Sequence, residues 1–144
     1  NAGIDQSNLG PDENGRERVL LLPENPNAAS ARLRSSFEKR YRRRIGVIIN
    51  DSVGRAWRNG SVGLALGVAG PPALWDRIGT NDLFGRPLRV TQIGFADQIA
   101  AAAALVMGEG AEGQPAVKVD GLSWEAVTTD ADSLLRPKEQ DLFR

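Results

Sequence analysis

Neither cysteine nor histidine occurs among the 144 residues of this chain. Without cysteine there are no disulfides, thiolate metal sites or thiol nucleophiles, and without histidine there is no imidazole base and no Ser-His-Asp triad. Charge of one sign is not in excess either. Eighteen Lys and Arg balance eighteen Asp and Glu, which removes any global electrostatic case for nucleic acid or an anionic membrane. The longest apolar run, Ile99 to Met107, falls far short of the roughly 20 residues of a membrane span, and no signal peptide is visible. The expectation is a cytoplasmic protein with no nucleic-acid and no membrane partner. Its chemistry must rest on carboxylates, Lys or Arg, hydroxyls, amides and bound metal. The length suits one domain, residues 1–144, burying roughly two-thirds of its unfolded surface.

Local signals divide the chain. Val19 to Leu22 reads as a short apolar strand ending at Pro23. Asn25 is a possible N-cap with Pro26 at the first helical position, and Ala29, Leu33, Phe37 and Tyr41 recur every fourth residue, which predicts an amphipathic helix. Cations Lys39, Arg40, Arg42, Arg43 and Arg44 suit the negative end of its dipole, and a solvated helix end explains them better than a nucleic-acid stripe. Gly46 to Ile49 reads as a fully buried strand that delivers Asn50, Asp51 and Ser52 to its C-terminal end. From Ser61 to Ala69 apolar and small residues alternate strictly, so the face made by Ser61, Gly63, Ala65, Gly67 and Ala69 is nearly featureless and something packs closely on it. A further alternating strand is expected over Leu88 to Ile93, an Ala-rich helix over Phe95 to Met107 closed by Gly108, and a last core strand over Pro115 to Val119. No internal repeat is evident.

Four stretches carry candidate chemistry, each with a plainer explanation. Asp5 to Asn8 has the oxygen donors of a hard-cation site and equally the composition of an Asx-turn or helix cap. Asp51, at an expected strand end, sits where open α/β sheets place ligands, or simply caps the next turn. Arg55 and Arg58 flank Trp57 beside Gly54 and Gly60; they could clamp phosphate or carboxylate oxygens through bidentate forks, or be ordinary solvated arginines. The stretch Gly108-Glu109-Gly110-Ala111-Glu112-Gly113 has the backbone freedom to wrap a polyphosphate, but no Gly-Lys-Ser or Gly-Lys-Thr follows it, and a flexible connection reads equally well.

Five segments together resemble a known family, the coenzyme F420-0:L-glutamate ligases, which add γ-linked glutamates to a deazaflavin coenzyme. They are NAGIDQSN, LLPENPNAASARLR, VIINDSVGRAWRNG, DLFGRPLRVTQIGFADQIAAAAALVMG and LLRPKEQDLFR, in this order and across nearly the whole chain. The resemblance implies an α+β fold with a mixed sheet and two main helices, assembled as an intertwined homodimer. It implies a reaction of GTP, coenzyme F420-0 and L-glutamate through an acyl phosphate. Asp5, Asp51, Ser52 and Glu109 then match positions that hold Mg2+ or Mn2+, with K+ as an additional cation. Asn8 and the loop Met107, Gly108, Glu109, Gly110, Ala111, Glu112, Gly113 and Gln114 match nucleotide contacts, and Arg55 and Arg58 are the catalytic candidates. The resemblance also implies that the chain is the C-terminal portion of the ligase domain and lacks an N-terminal stretch of roughly a hundred residues, which would contribute to the GTP site. Two other readings are a non-catalytic dimerisation or scaffold domain and a different GTP-dependent amide ligase on the same fold.

Overall fold

The computed structural model describes residues 4–125 and 129–141. Two helices and three pairs of strands carry the fold. Helix α1 (Pro26–Tyr41) begins as its sequence predicts: Asn25 caps it by accepting the Ala28 N–H, and Pro26 stands in the first turn, where its missing N–H costs nothing. It ends at Arg42, whose φ of 50° and N–H bond to the Glu38 carbonyl close the last turn. Helix α2 (Phe95–Met107) ends at Gly108 with φ of 72°, a conformation that glycine adopts without a side-chain penalty.

All strand pairs among the described residues are antiparallel. Short β1 (Ile4–Asp5) pairs with β2 (Leu20–Leu21), and β5 (Leu74–Asp76) pairs with β6 (Gln92–Gly94). The long ladder is the hairpin of β3 (Val47–Arg55) and β4 (Arg58–Ala69). The strand expected over Leu88 to Ile93 is therefore shorter and later, because Leu88 instead donates its N–H to the Thr80 carbonyl within the loop that precedes β6. No strand forms over Pro115 to Val119: that segment is largely exposed and meets no partner strand. Apolar content alone cannot supply an adjacent edge to pair with. Residues 131–134 and 138–140 form single 3-10 turns.

Glycines of β4 receive both helices. A Cβ at Gly63 would lie 2.6 Å from the Ala100 carbonyl oxygen and 2.9 Å from Ala104 Cβ, so strand and helix touch backbone to backbone. Ala96, Ala100 and Ala104 recur at every fourth position of α2 and present methyl groups to that contact. Further along β4, Gly67 lies against the Pro26 backbone of α1. Between these two contacts the ladder slips: Ile49 pairs with Gly67 but Asn50 with Ala65, which leaves Leu66 as the extra residue of a bulge. The Ala65 N–H there is taken by Asp97 Oδ1 of α2 at 2.9 Å. Asn27 performs the equivalent task for α1, its Oδ1 accepting the Val68 and Ala131 N–H groups, both at 3.1 Å.

The core so formed is small: Val68, Ala73, Ala96 and Ala131 are buried together, with Ile48, Ala65 and Leu134 packed on them. Leu33, Phe37 and Tyr41 of α1, expected as its core face, are instead 43, 39 and 56 % exposed. Polar residues of α1 meet the rest of the chain instead, with Ser30 fully buried and Arg34 and Glu38 bonded to the Ile45 carbonyl and N–H. No helix among the described residues is long and apolar enough to cross a membrane.

Candidate functional site

The densest meeting of sequence-predicted residues lies where α2 ends over the hairpin. Gly108 turns the chain out of the helix, and Glu109 reaches back to β3 and β4, accepting from Ser52 Oγ at 2.9 Å through Oε2 and from Ser61 Oγ at 3.2 Å through Oε1. Ser52 pairs with Gly63 and Gly54 with Ser61, so the two hydroxyls are diagonal neighbours on one face of the ladder. That is the face on which α2 packs through Gly63. Ser61 was legible only as a member of a featureless row; its function as a partner of Glu109 depends on the register and on where α2 stops.

Asp51 is placed differently from its expected position. It lies in the middle of β3, not at its end, paired with Leu64. Strand alternation sets it on the face opposite Ser52, and its Oδ1 accepts the Ser52 N–H at 2.8 Å. The strand runs past Asp51 because Val53 to Arg55 continue the ladder to a tight turn.

Asp5 makes the local turn that its neighbours permit. Its Oδ1 accepts from the Ser7 N–H at 2.9 Å and the Ser7 hydroxyl at 2.6 Å. These two bonds, the hydroxyl first, hold the exposed carboxyl below the ordinary carboxylate range. Asn8 follows with φ of 58°, a left-handed conformation that asparagine tolerates better than most residues.

Arg55 and Arg58 face each other across the hairpin turn of Ala56 and Trp57, a tighter turn than the short loop from Gly54 to Gly60 that was expected. Arg55 Nη2 donates to the Asn59 and Gly60 carbonyls at 3.2 and 3.4 Å, fastening the two extra residues that β4 carries at this point. Trp57 is 81 % exposed at the tip. Arg55 thus shapes the turn, while Arg58 opens the strand beside it.

In the glycine-rich loop, Glu112 curls over Gly108 and accepts the Gly110 N–H at 2.8 Å. A backbone N–H that would suit a phosphate oxygen is here satisfied by the chain's own carboxylate. Gly113, at φ of 64°, then redirects the chain toward Gln114.

The donor set around Glu109 is all oxygen, the chemistry preferred by Mg2+ or Mn2+. Mg2+ sites commonly use one or two carboxylates and draw their other ligands from phosphates and water, so Glu109 with Ser52 suits one side of such a site. Among the described residues no three acidic side chains gather around a common point, so Asp5, Asp51 and Glu109 do not form one cluster.

Comparison with known proteins agrees with the motif reading. The sequence profile of F420-0:Gamma-glutamyl ligase matches residues 1–121. Over 144 residues the chain is 44 % identical to the coenzyme F420:L-glutamate ligases of Methanocaldococcus jannaschii and Archaeoglobus fulgidus, and over 146 residues it is 43 % identical to that of Methanothermobacter thermautotrophicus. These matches take in 100 % of this chain but only 55, 55 and 56 % of the relatives. A profile match over most of the sequence, together with identity above 40 % along its whole length, places the chain in the F420-0:gamma-glutamyl ligase family.

Proposed function

We propose that this chain forms part of a GTP-dependent, metal-assisted ligase that joins L-glutamate to coenzyme F420-0. The observation that carries the reading is the Glu109 carboxylate held by two hydroxyls from two strands at the mouth of the glycine-rich loop. In this reaction a carboxylate of the acceptor takes the γ-phosphoryl group of GTP, releasing GDP and giving an acyl phosphate. The glutamate amine then attacks the acyl carbon, a proton leaves the nitrogen, and phosphate departs as the amide forms.

Bringing a carboxylate and a polyphosphate together costs roughly 4 kcal/mol per unit-charge pair at about 4 Å and an effective dielectric near 20. That is about three decades of rate. A divalent cation, when bound, supplies neutralising charge at the phosphates. The residues of this chain that would face it are Glu109 and Ser52, with Asp5 and Asp51 as further posts once neighbouring polypeptide completes the site. Arg58 is suited to meet charge that develops on the transferring group, while Arg55 holds the turn that presents it. The loop from Met107 to Gln114 would take the nucleotide phosphates as Glu112 gives up the Gly110 N–H. Asn8 would serve as a nucleotide contact from the β1 side. Such chemistry depends on positioning and electrostatics, so it needs neither histidine nor cysteine.

The test is ligation by the chain joined to the polypeptide that the relatives carry beyond it. With GTP, Mn2+, L-glutamate and F420-0 present, the acceptor should gain the mass of one glutamyl residue per turn. Omitting GTP or the metal should abolish the gain. GTP hydrolysis with no change in the acceptor would indicate another amide ligase, and no metal- or GTP-dependent rise in melting temperature would indicate a scaffold.

A further inference from the structure

The surface of the chain is too large for its mass. A compact protein of 15.5 kDa exposes about 7,200 Å², whereas this chain exposes 11320 Å². The difference, about 4,000 Å² on one chain, greatly exceeds the roughly 800 Å² per partner of a standard protein–protein contact. Much of it is apolar and lies on regular elements. Leu33, Phe37 and Tyr41 form an i, i+4, i+8 row on α1 and are 43, 39 and 56 % exposed, with the Phe37 and Tyr41 rings 6.3 Å apart. Val19, Leu20, Leu21 and Leu22, immediately before that helix, are 46 to 71 % exposed. Within the chain α1 meets β4 at Pro26, bonds through Asn27, Arg34 and Glu38, and buries Ser30. An amphipathic helix that spends polar groups on one neighbour and leaves its apolar row open has a second neighbour.

We infer that the Leu33–Phe37–Tyr41 row of α1, with the Val19–Leu22 segment, is an internal packing face of the ligase fold. It is covered by the polypeptide that makes up the rest of the relatives' length. Every residue of this chain aligns within those relatives, yet close to half of each lies outside the match. That is enough polypeptide to supply a covering layer, which a second copy docking through a standard-sized contact is not. The inference rests on family membership and exposed area, and not on the proposed reaction.

The experiment uses the 144-residue chain and the segment of the Methanocaldococcus jannaschii relative that lies outside the match, co-expressed with a tag on one of them. The expected result is stoichiometric co-purification with slowed amide exchange at Leu20 and Leu21 and over residues 33–41. Phe37→Glu, an exposed position whose substitution leaves the isolated chain's circular dichroism unchanged, should reduce capture at least tenfold. Leu83→Glu, on the 99 % exposed tip of a distant loop, should leave it unaltered. Failure to capture the segment, capture indifferent to Phe37→Glu, or a Phe37→Glu effect confined to self-association of the chain would each overturn the inference. Ligase activity is scored separately: capture through Phe37 without glutamate transfer upholds the packing face and counts against the proposed reaction.

Discussion

The Ser52 hydroxyl donates to Glu109 Oε2 at 2.9 Å across 57 residues of chain. The bond links the middle of a strand to the first residue past a helix cap, and it directs a carboxylate to the mouth of the glycine-rich loop. In the completed ligase, Glu109→Gln preserves most of the hydrogen-bond geometry and removes the charge. The expected fall in kcat/KM is tenfold to a hundredfold, matching the roughly 1.5–3 kcal/mol of a charged hydrogen bond. Ser52→Ala, which removes a hydroxyl and leaves the charge, should cost about fivefold, about 1 kcal/mol. Equal effects of the two substitutions would count against a charge-based function.

Glu112 occupies the Gly110 N–H that the proposed reading gives to a phosphate oxygen. Glu112→Ala, which leaves no acceptor on that N–H, should therefore strengthen GTP binding in the completed ligase by about fivefold, close to 1 kcal/mol. Isothermal titration calorimetry reads this directly, and weaker binding by the variant would make Glu112 a direct contributor to the nucleotide site.

Gly67 has no room for a side chain: a Cβ would overlap the Pro26 carbonyl group of α1. Gly67→Ala should destabilise the fold by about 1–3 kcal/mol, the usual cost of overpacking a close contact. Gly54→Ala, where a Cβ meets nothing within 4 Å, is the control in urea unfolding and should move the midpoint little.

Asp97 satisfies the backbone N–H that the β4 bulge exposes at Ala65. Asp97→Ala leaves that partly buried donor without its acceptor and should cost about 1–3 kcal/mol. Asp97→Asn, which retains an acceptor oxygen, should cost less. Hydrogen exchange at the Ala65 amide should accelerate in the alanine variant before the rest of the hairpin does.

Glu38 accepts the Ile45 N–H and pairs with Arg34 at 3.1 Å. The Ile45 bond first, and Arg34 after it, outweigh desolvation and hold the carboxyl below its ordinary value near 4.5. Because the folded state binds this proton less readily than the unfolded chain, Glu38 contributes its full stability above the unfolded pKa. That contribution is lost as pH falls through the lower folded value. The melting-temperature gap between the parent and Glu38→Gln should be constant from neutral pH down to the carboxylate range and should close below it. A gap that widens on acidification would contradict the assignment.

Much of the architecture was legible because its causes are local. Asn25 and Pro26 start α1, Gly108 ends α2, and the alternation from Ser61 to Ala69 marks a strand, all from neighbouring residues alone, whereas the bulge at Leu66 that splits its small residues between two faces was not legible. Ser52 lies within one motif segment and Glu109 directly follows another. The partners of those residues were not legible. Asn27 and Asp97 lie in the first turns of their helices, and nothing nearby in sequence signals that each takes an N–H from β4.

The sequence by itself determined the helices, the hairpin strands, the absence of thiol and imidazole chemistry, and the family. Backbone preference, periodicity and motif order are properties of short segments. Tertiary structure alone decided that Asp51 lies mid-strand opposite Ser52, that Glu109 joins Ser52 and Ser61, and that Pro115 to Val119 forms no strand. It also decided that the apolar row of α1 stays open. Each of these depends on a register, a bulge or the presence of a second surface, and such relations are set by packing between residues far apart in the chain.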